Sequence, residues 1–351
     1  MTAQTASEPR LTSLSHGGGC GCKIAPGVLT GLLRGTAMLP VPDELLVGIE
    51  TSDDAAVYKL NERQALVATT DFFMPIVDDP LDFGRIAATN AISDVYAMGA
   101  TPIMALSLVG MPINTLSPET IARILEGGAN ACRDAGIPIA GGHTIDSVEA
   151  IYGLVALGLV DPAHVKRNSD ARPGDVLILG KPLGVGIMSA ALKKEALSPE
   201  TYARMILATT KLNSAGPDLA RLDSVHAMTD VTGFGLAGHL LEMARGSGCD
   251  AELDWARVPL LPDVRDLASA GFVTGASGRN WSSYGEDAIL PDDFAPVDQA
   301  LLSDPQTSGG LLVSCSRQDA MEVLRIFREH GFADAAVIGQ MVEGQGQLRI
   351  M

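Results

Sequence analysis

Two thiols and an amine stand close together on a backbone of glycines in the segment His16-Gly-Gly-Gly-Cys20-Gly-Cys22-Lys23. Glycine loses more conformational freedom on folding than any other residue, so this segment suits mobility or close backbone approach rather than a packed core. It reads as a reactive or metal-binding arm. His16, Cys20 and Cys22 could bind zinc, yet Cys-x-Cys is not the usual Cys-x₂-Cys spacing and no second cysteine pair is near in sequence to complete four ligands. An inert, solvent-exposed tail is the plainer alternative. Lys23 favours a third reading, nucleophilic or chalcogen-handling chemistry, because its charge could stabilise a thiolate or pair with a phosphate oxygen.

The second set of reactive groups is acidic. Asp53, Asp54, Asp71, Asp94 and Asp230 each sit in a short polar turn or on a semi-buried helix face, beside apolar runs that would hold them still. Any one of them alone could cap a helix or close an Asx turn. Gathered together, carboxylates repel unless a hard cation lies between them, and oxygen ligands are what Mg²⁺ takes, with its remaining positions filled by water and substrate phosphates. A polyphosphate substrate fits such a site. The glycine-rich stretches Gly180 to Gly186 and Gly141-Gly142-His143 match neither the P-loop spacing nor the dinucleotide fingerprint, so each reads first as a tight turn and only weakly as a phosphate cradle.

The elements that must position these groups follow from periodicity. Apolar positions Val28, Leu29, Leu32 and Leu33 predict a short helix behind the arm. Strands are expected at Leu45 to Val47, Ala55 to Leu60 and Ala65 to Ala68, with the carboxylate clusters Asp53-Asp54 and Asp71 at strand edges. Phe83 to Met98 reads as a helix stopped by Gly99, carrying Asn90 and Asp94 on one face beside Phe83, Ile86 and Ala87. A polar pair continuing such a stripe must find partners. A strand at Ile103 to Val109 precedes a second helix, started by Ser117-Pro118-Glu119 and ended by Gly136. Ala140 to Thr144 is read as a loop before the strand Ile151 to Val160. Charge and proline replace the apolar pattern over Asp161 to Gly174, which places a boundary there. Beyond it come a strand at Val176 to Leu179, helices near Tyr202 to Leu212 and Leu236 to Ala244, and a looser stretch to Ser303. A strand at Leu311 to Ser314, a helix at Asp319 to His330 and a strand at Ala335 to Ile338 close the chain.

Strands and helices mix without regular alternation, which predicts an α+β fold of two mixed domains rather than a doubly wound sheet. At 351 residues with 46% hydrophobic content, both domains can bury a core. The expected division is 1-45 for the arm and short helix, 46-161 for a first domain and 162-351 for a second. A formal net charge of -17 argues against sequence-independent binding to nucleic acid or anionic membrane, both of which need basic patches. Five cysteines are too few and odd in number for a disulfide framework, and no signal-peptide pattern or membrane-length apolar run is visible. Both features point to the cytoplasm.

Seven motifs then fall in order: the arm, Asp53-Asp54-Ala-Ala-Val-Tyr, Thr69-Thr70-Asp71-Phe-Phe-Met-Pro, Asn90-Ala-Ile-Ser-Asp94, Gly141-Gly142-His143, Met228-Thr229-Asp230-Val-Thr-Gly-Phe-Gly and Asp304-Pro-Gln-Thr-Ser-Gly-Gly. From about Leu11 to the C-terminus the sequence resembles the selenophosphate synthetase family, the selenide, water dikinases. The resemblance implies conversion of ATP, selenide and water to selenophosphate, orthophosphate and AMP, with Mg²⁺ as cofactor. It also implies a homodimer whose N-terminal halves form a shared β-barrel, with no nucleic acid or membrane partner. By position, Cys20 and Lys23 correspond to the family's essential residues, and Asp54, Asp94 and Asp230 to its magnesium ligands. Lys23, Thr51, Ser52, Asp53, Asp71, Asp94, Gly142, His143 and Thr144 correspond to nucleotide-binding positions, the last three reaching across from the other subunit. Relatives that share an acidic nucleotide site but lack the arm, the aminoimidazole ribonucleotide synthetases and thiamine monophosphate kinases, are the alternative enzymes. A zinc-binding interaction module is the alternative of a different class.

Overall fold

The computed structural model describes residues 8–23, 41–48 and 53–351. The helix expected behind the arm, and Thr51 and Ser52, lie outside the described residues. Two sheets organise the rest. The first has six strands in the order β1-β2-β3-β6-β4-β5, formed by β1 (Leu45–Val47), β2 (Ala56–Asn61), β3 (Gln64–Phe73), β4 (Thr101–Met111), β5 (Ile139–Asp146) and β6 (Ile151–Val160). Neighbours are antiparallel except β4 and β5, which run parallel.

Residue alternation in β3 decides what reaches the interior. Ala65, Val67, Thr69, Asp71 and Phe73 are buried, whereas Thr70 and Phe72 point to the open face. With two residues per repeat, polar Thr69 and Asp71 necessarily share the buried face with Val67 and Phe73. The helix α1 (Pro80–Ala97) packs against that face. It starts earlier than its apolar stripe suggests, because Asp79 caps it by accepting from the Asp82 N–H at 3.0 Å and Pro80 occupies the first turn. Phe83 on α1 joins Phe73 and Tyr152 in an aromatic cluster with ring centroids 6.3 and 6.4 Å apart. The second helix, α2 (Pro118–Asp134), is capped as expected by Ser117, whose hydroxyl accepts from the Thr120 N–H at 3.1 Å.

The segment read as a loop at Ala140 to Thr144 is instead part of strand β5, paired in parallel with β4 through Ser107↔Gly142, Leu108↔His143 and Val109↔Thr144. Its glycines hid it. Gly142 has φ +155°, and a Cβ there would come within 2.0 Å of the Ser107 carbonyl oxygen, so the close strand pairing itself requires glycine.

The second sheet has seven strands in the order β10-β13-β9-β12-β7-β11-β8. They are β7 (Val176–Leu179), β8 (Val225–Asp230), β9 (Cys249–Leu253), β10 (Ala288–Ile289), β11 (Leu311–Cys315), β12 (Ala336–Glu343) and β13 (Leu348–Ile350). Strand β11 lies antiparallel between β7 and β8 and is wholly buried, which is why it reads as an unbroken apolar run. Helices α6 (Gly235–Ser247) and α10 (Ala320–Glu329) pack on the sheet, and α3 (Val185–Lys193), α4 (Pro199–Thr209) and α5 (Gly216–Ala220) also belong to this half. The stretch read as loose contains three further short helices, α7 (Val264–Ser269), α8 (Gly275–Tyr284) and α9 (Pro296–Leu302). One apolar cluster runs from Val67, Ile86 and Tyr152 of the first half into Val185, Met188 and Met205 of the second, so the halves meet without a polar gap. The reactive groups converge along that junction.

Candidate active site

Three elements from distant parts of the sequence bring their carboxylates together. Asp54 precedes β2, Asp94 lies on the inward face of α1, and Asp230 ends β8. One oxygen from each lies within 4.8 Å of the others. Each carboxylate is held by a hydroxyl: Thr229 Oγ1 donates to Asp54 Oδ1 at 2.8 Å, Thr69 Oγ1 to Asp94 Oδ2 at 2.5 Å, and Ser93 Oγ to Asp230 Oδ2. Ser93 in turn accepts from Asn213 Nδ2 at 2.7 Å. The other oxygen of Asp54 is buried with no hydrogen-bond donor among the described residues.

Burial raises the pKa of all three, and repulsion from neighbouring carboxylates adds to it. Desolvation and the charges of Asp230 and Asp94 push Asp54 well above the usual carboxylate range, and desolvation, Asp230 and Asp71 do the same to Asp94. Asp230 is raised by burial, against the hydrogen bond from Ser93. A compact, all-oxygen set with one oxygen lacking a donor fits a hard divalent cation such as Mg²⁺.

The arm docks against this cluster instead of trailing into solvent. Gly19–Cys22 forms a single 3₁₀ turn, Gly19 N–H donates to the Met74 carbonyl at 2.9 Å, and Cys20 is 1% exposed. Gly19 has φ +52°, and a Cβ there would come within 2.2 Å of Thr307 Oγ1 and 2.6 Å of Ile76 Cγ2. Close approach, rather than mobility alone, therefore accounts for this glycine. Cys20 N–H donates to Thr307 Oγ1 at 3.2 Å, and its thiol donates to Asn90 Oδ1 at 3.1 Å. Asn90 Oδ1 also accepts from Ser308 N–H at 2.7 Å, while its amide nitrogen donates to Asp71. Lys23 Nζ lies 3.4 Å from Asp71 Oδ2.

These charges sort themselves in a definite way. Burial works against the Lys23 ammonium, but Asp71, Cys20, Asp94 and Asp230 outweigh it and hold the group protonated. Burial, followed by Asp71, drives the Cys20 thiol well above its normal pKa, and Lys23 offsets only part of that rise. The thiolate expected from the neighbouring lysine is thus not the resting form. Zinc gains nothing here either, because His16 Nδ1 pairs with Glu149 at 2.9 Å and Cys22 Sγ donates to the Gly19 carbonyl, so the three ligands of that reading are not brought together.

Of the remaining positions singled out in the sequence, Asp53 accepts from the Asn168 N–H at 2.8 Å, tying the segment before β2 to the second half. Gly142, His143 and Thr144 lie on β5, an exposed sheet edge. Asp71 and Gly142 share one rung of the sheet, through Leu154 and Ser107, and are three strand spacings or about 14 Å apart. Gly142, His143 and Thr144 therefore do not join the carboxylate cluster within one chain, whereas Asp71 lies beside it. The loop at Gly180 to Gly186 presents no anion cradle: Gln306 Oε1 accepts from Gly184 and Val185, Asp304 Oδ2 accepts from Gly186 and Ile187, and buried Lys181 donates to the Lys211 and Ser308 carbonyls. That lysine, its pKa lowered by burial to about 7, supports the loop that meets Cys20 and Asn90. Ser93 could have been found from its place next to Asp94 on the Asn90 face; Asn213 carries no sequence signal.

Comparison with known proteins gives a consistent answer. Residues 52–160 match the N-terminal domain of AIR synthase related proteins and residues 172–350 match the C-terminal domain. A selenide, water dikinase of Paraburkholderia xenovorans is 65% identical over 99% of this chain and 98% of its own length. One from Dechloromonas aromatica is 66% identical over 96% of this chain and 97% of its own. Among solved structures, the hydrogenase maturation protein HypE in complex with ATP shares the fold at a TM-score of 0.61, with 20% identity over 86% of this chain and 85% of that one.

Proposed function

The chain belongs to the selenide, water dikinases of the AIR synthase related family, and we propose that it converts ATP, selenide and water to selenophosphate, orthophosphate and AMP. The observation that carries this reading is the junction of two chemistries: the Cys20 and Lys23 arm is seated on Asn90 and Asp71, next to the Asp54, Asp94 and Asp230 cluster.

The difficulty of the reaction is charge. An anionic selenide must reach a polyanionic nucleotide inside an acidic protein. Asp54, Asp94 and Asp230 would hold Mg²⁺, which when bound would supply positive charge against the phosphates of the nucleotide. Lys23, kept protonated by its acidic surroundings, offers a fixed positive charge to the transferring phosphoryl group. Cys20 receives or guides selenium, with Asn90 setting the direction of its Sγ. As selenium bonds to the γ-phosphorus, the bond to the β-γ bridging oxygen breaks; the second phosphoryl group, from ADP, passes to water. The docked arm keeps water out until that second step.

Thr51, Ser52, Asp53, Asp71 and Asp94 are assigned to nucleotide contacts from one subunit, and Gly142, His143 and Thr144 to contacts from the other. The open face of the first sheet supports a homodimer. Helices α1 and α2 cover one face, while Tyr58, Leu66, Phe72, Leu106, Val155 and Leu157 leave an apolar surface on the other. A second copy's sheet would cover it and close a shared barrel. Residues 46-161 then act as the nucleotide and dimerisation domain and 162-351 as the domain that completes the site behind the arm. Five unpaired cysteines suit a reducing cytoplasm, and among the described residues no helix is long and apolar enough to cross a membrane.

Chromatographic quantification of nucleotides tests the assignment. Selenide-dependent formation of AMP supports it, and ADP as the only product would place the chain with the kinases of the wider family.

A further inference from the structure

A cavity of about 320 Å³ lies against the backbone of the arm. Gly17, Gly18 and Gly21 line it, whereas Cys20, whose side chain turns to Asn90, does not. The cavity and the Cys20 thiol thus lie against the same short segment, with Thr307 lining the cavity and accepting from the Cys20 N–H. Its other walls come from α3, α8 and the loop at Pro305 to Thr307.

The charge of this cavity runs against that of the chain. Against 42 acidic and 25 basic residues in the chain, the described residues that line it include the cations Lys193, Lys194 and Arg279, together with His16, and no aspartate or glutamate. Two of these cations already hold the arm: Lys193 Nζ donates to the Ser15 carbonyl at 3.1 Å and Arg279 Nη2 to the Gly21 carbonyl at 3.2 Å. The arm segment bearing Cys20 is thus fastened on both sides, at Ser15 and at Gly21. His16 is engaged by Glu149. Lys194, exposed at the end of α3, lines the cavity and makes no ion pair or side-chain hydrogen bond to the described residues.

We propose that this cavity is a second binding site, for a small inorganic anion that passes between solvent and the arm: selenide on its way to Cys20, or orthophosphate leaving. This rests on the dikinase reading. A local patch of cations in a strongly acidic protein concentrates anions where the global field would repel them. Apolar surfaces at Ile76, Val273, Ala276 and Pro305 lower the local dielectric and strengthen the attraction.

Lys194→Gln and Lys194→Glu test the site, with Arg204→Gln as a control that removes a surface charge elsewhere on the same domain. The first measurement is the phosphorus NMR linewidth of inorganic phosphate titrated into the full chain without nucleotide, which needs no turnover. Both Lys194 variants should weaken phosphate binding, roughly twofold to fivefold for the glutamine. Steady-state kinetics then separate the two sources. A raised KM for selenide with unchanged KM for ATP assigns the cavity to the incoming anion, and a raised inhibition constant for orthophosphate assigns it to the product. Unchanged phosphate binding, selenide KM and phosphate inhibition in both variants would overturn the proposal, as would an equal effect of Arg204→Gln. Absence of AMP formation by the unmodified chain would instead defeat the dikinase reading, while the linewidth titration would still decide on the cavity.

Discussion

The thiol of Cys20 and the side-chain oxygen of Asn90 are 3.1 Å apart, although 70 positions separate them in sequence. That oxygen also accepts from the Ser308 N–H, and the amide nitrogen donates to Asp71, so the orientation of Asn90 is fixed by partners from three separate segments. One asparagine thereby couples the arm, the acidic cluster and the Asp304 to Gly310 loop.

Asn90→Ala leaves the buried Ser308 N–H without its acceptor and Asp71 Oδ2 with Lys23 as its remaining partner, a loss of about 1 to 3 kcal/mol. Urea denaturation should report that loss, and selenide-dependent AMP formation should fall at least tenfold by the same displacement of Cys20. Normal activity in a destabilised variant would show that Asn90 has no part in placing the thiol.

Cys20 and Cys22 should separate cleanly. Burial and Asp71 keep Cys20 in its thiol form, so in the free protein it resists iodoacetamide near neutral pH. Mass spectrometry after brief alkylation should find Cys20 among the least labelled of the five cysteines. Cys20→Ser should abolish selenide-dependent turnover, and Cys22→Ser should leave most of it. Rapid alkylation of Cys20 would contradict the docked arm.

The carboxylate cluster predicts opposite effects of one substitution on stability and on binding. Asp54 has a raised pKa in the folded chain, so its stabilising contribution is present below the unfolded-state pKa and is lost as pH rises through the folded value. In chelator, Asp54→Asn should therefore raise the melting temperature more at high pH than at low pH, because burial penalises only the charged carboxyl. The same variant should weaken Mg²⁺-dependent nucleotide binding by tenfold or more in calorimetry. A destabilised variant in chelator, or undiminished nucleotide binding, would contradict the metal assignment.

Phe72 lies on the open face of the first sheet. Phe72→Glu should convert a species of twice the chain mass to a single chain in sedimentation, and it should also weaken nucleotide binding if Gly142 to Thr144 act across the dimer. A unit-mass species in the unmodified protein would remove the shared barrel from the account.

Much of this arrangement is legible in the sequence. The Ser117 cap and the placing of Asn90 and Asp94 on one face of α1 follow from local patterns that tertiary packing leaves intact, whereas β3 runs on to Phe73 and holds Asp71 within the strand instead of at its edge. Strand β5 was hidden because an edge strand with two adjacent glycines shows neither alternation nor β-branched enrichment. Short helices α7, α8 and α9 lack a full apolar stripe and depend on neighbours for their form. Asn213 and Arg279 escaped notice because their roles arise from contacts more than 100 positions away, with Ser93 and Gly21. Lys23 does pull the Cys20 pKa down, but the burial that raises it further is not visible in sequence.

Phosphorus NMR of the products formed from ATP and selenide is the most direct measurement. The account predicts AMP, orthophosphate and a selenium-coupled phosphorus resonance from the unmodified chain, and no such resonance from Cys20→Ser. A product mixture of ADP without selenophosphate, or a selenophosphate signal undiminished in Cys20→Ser, would contradict it.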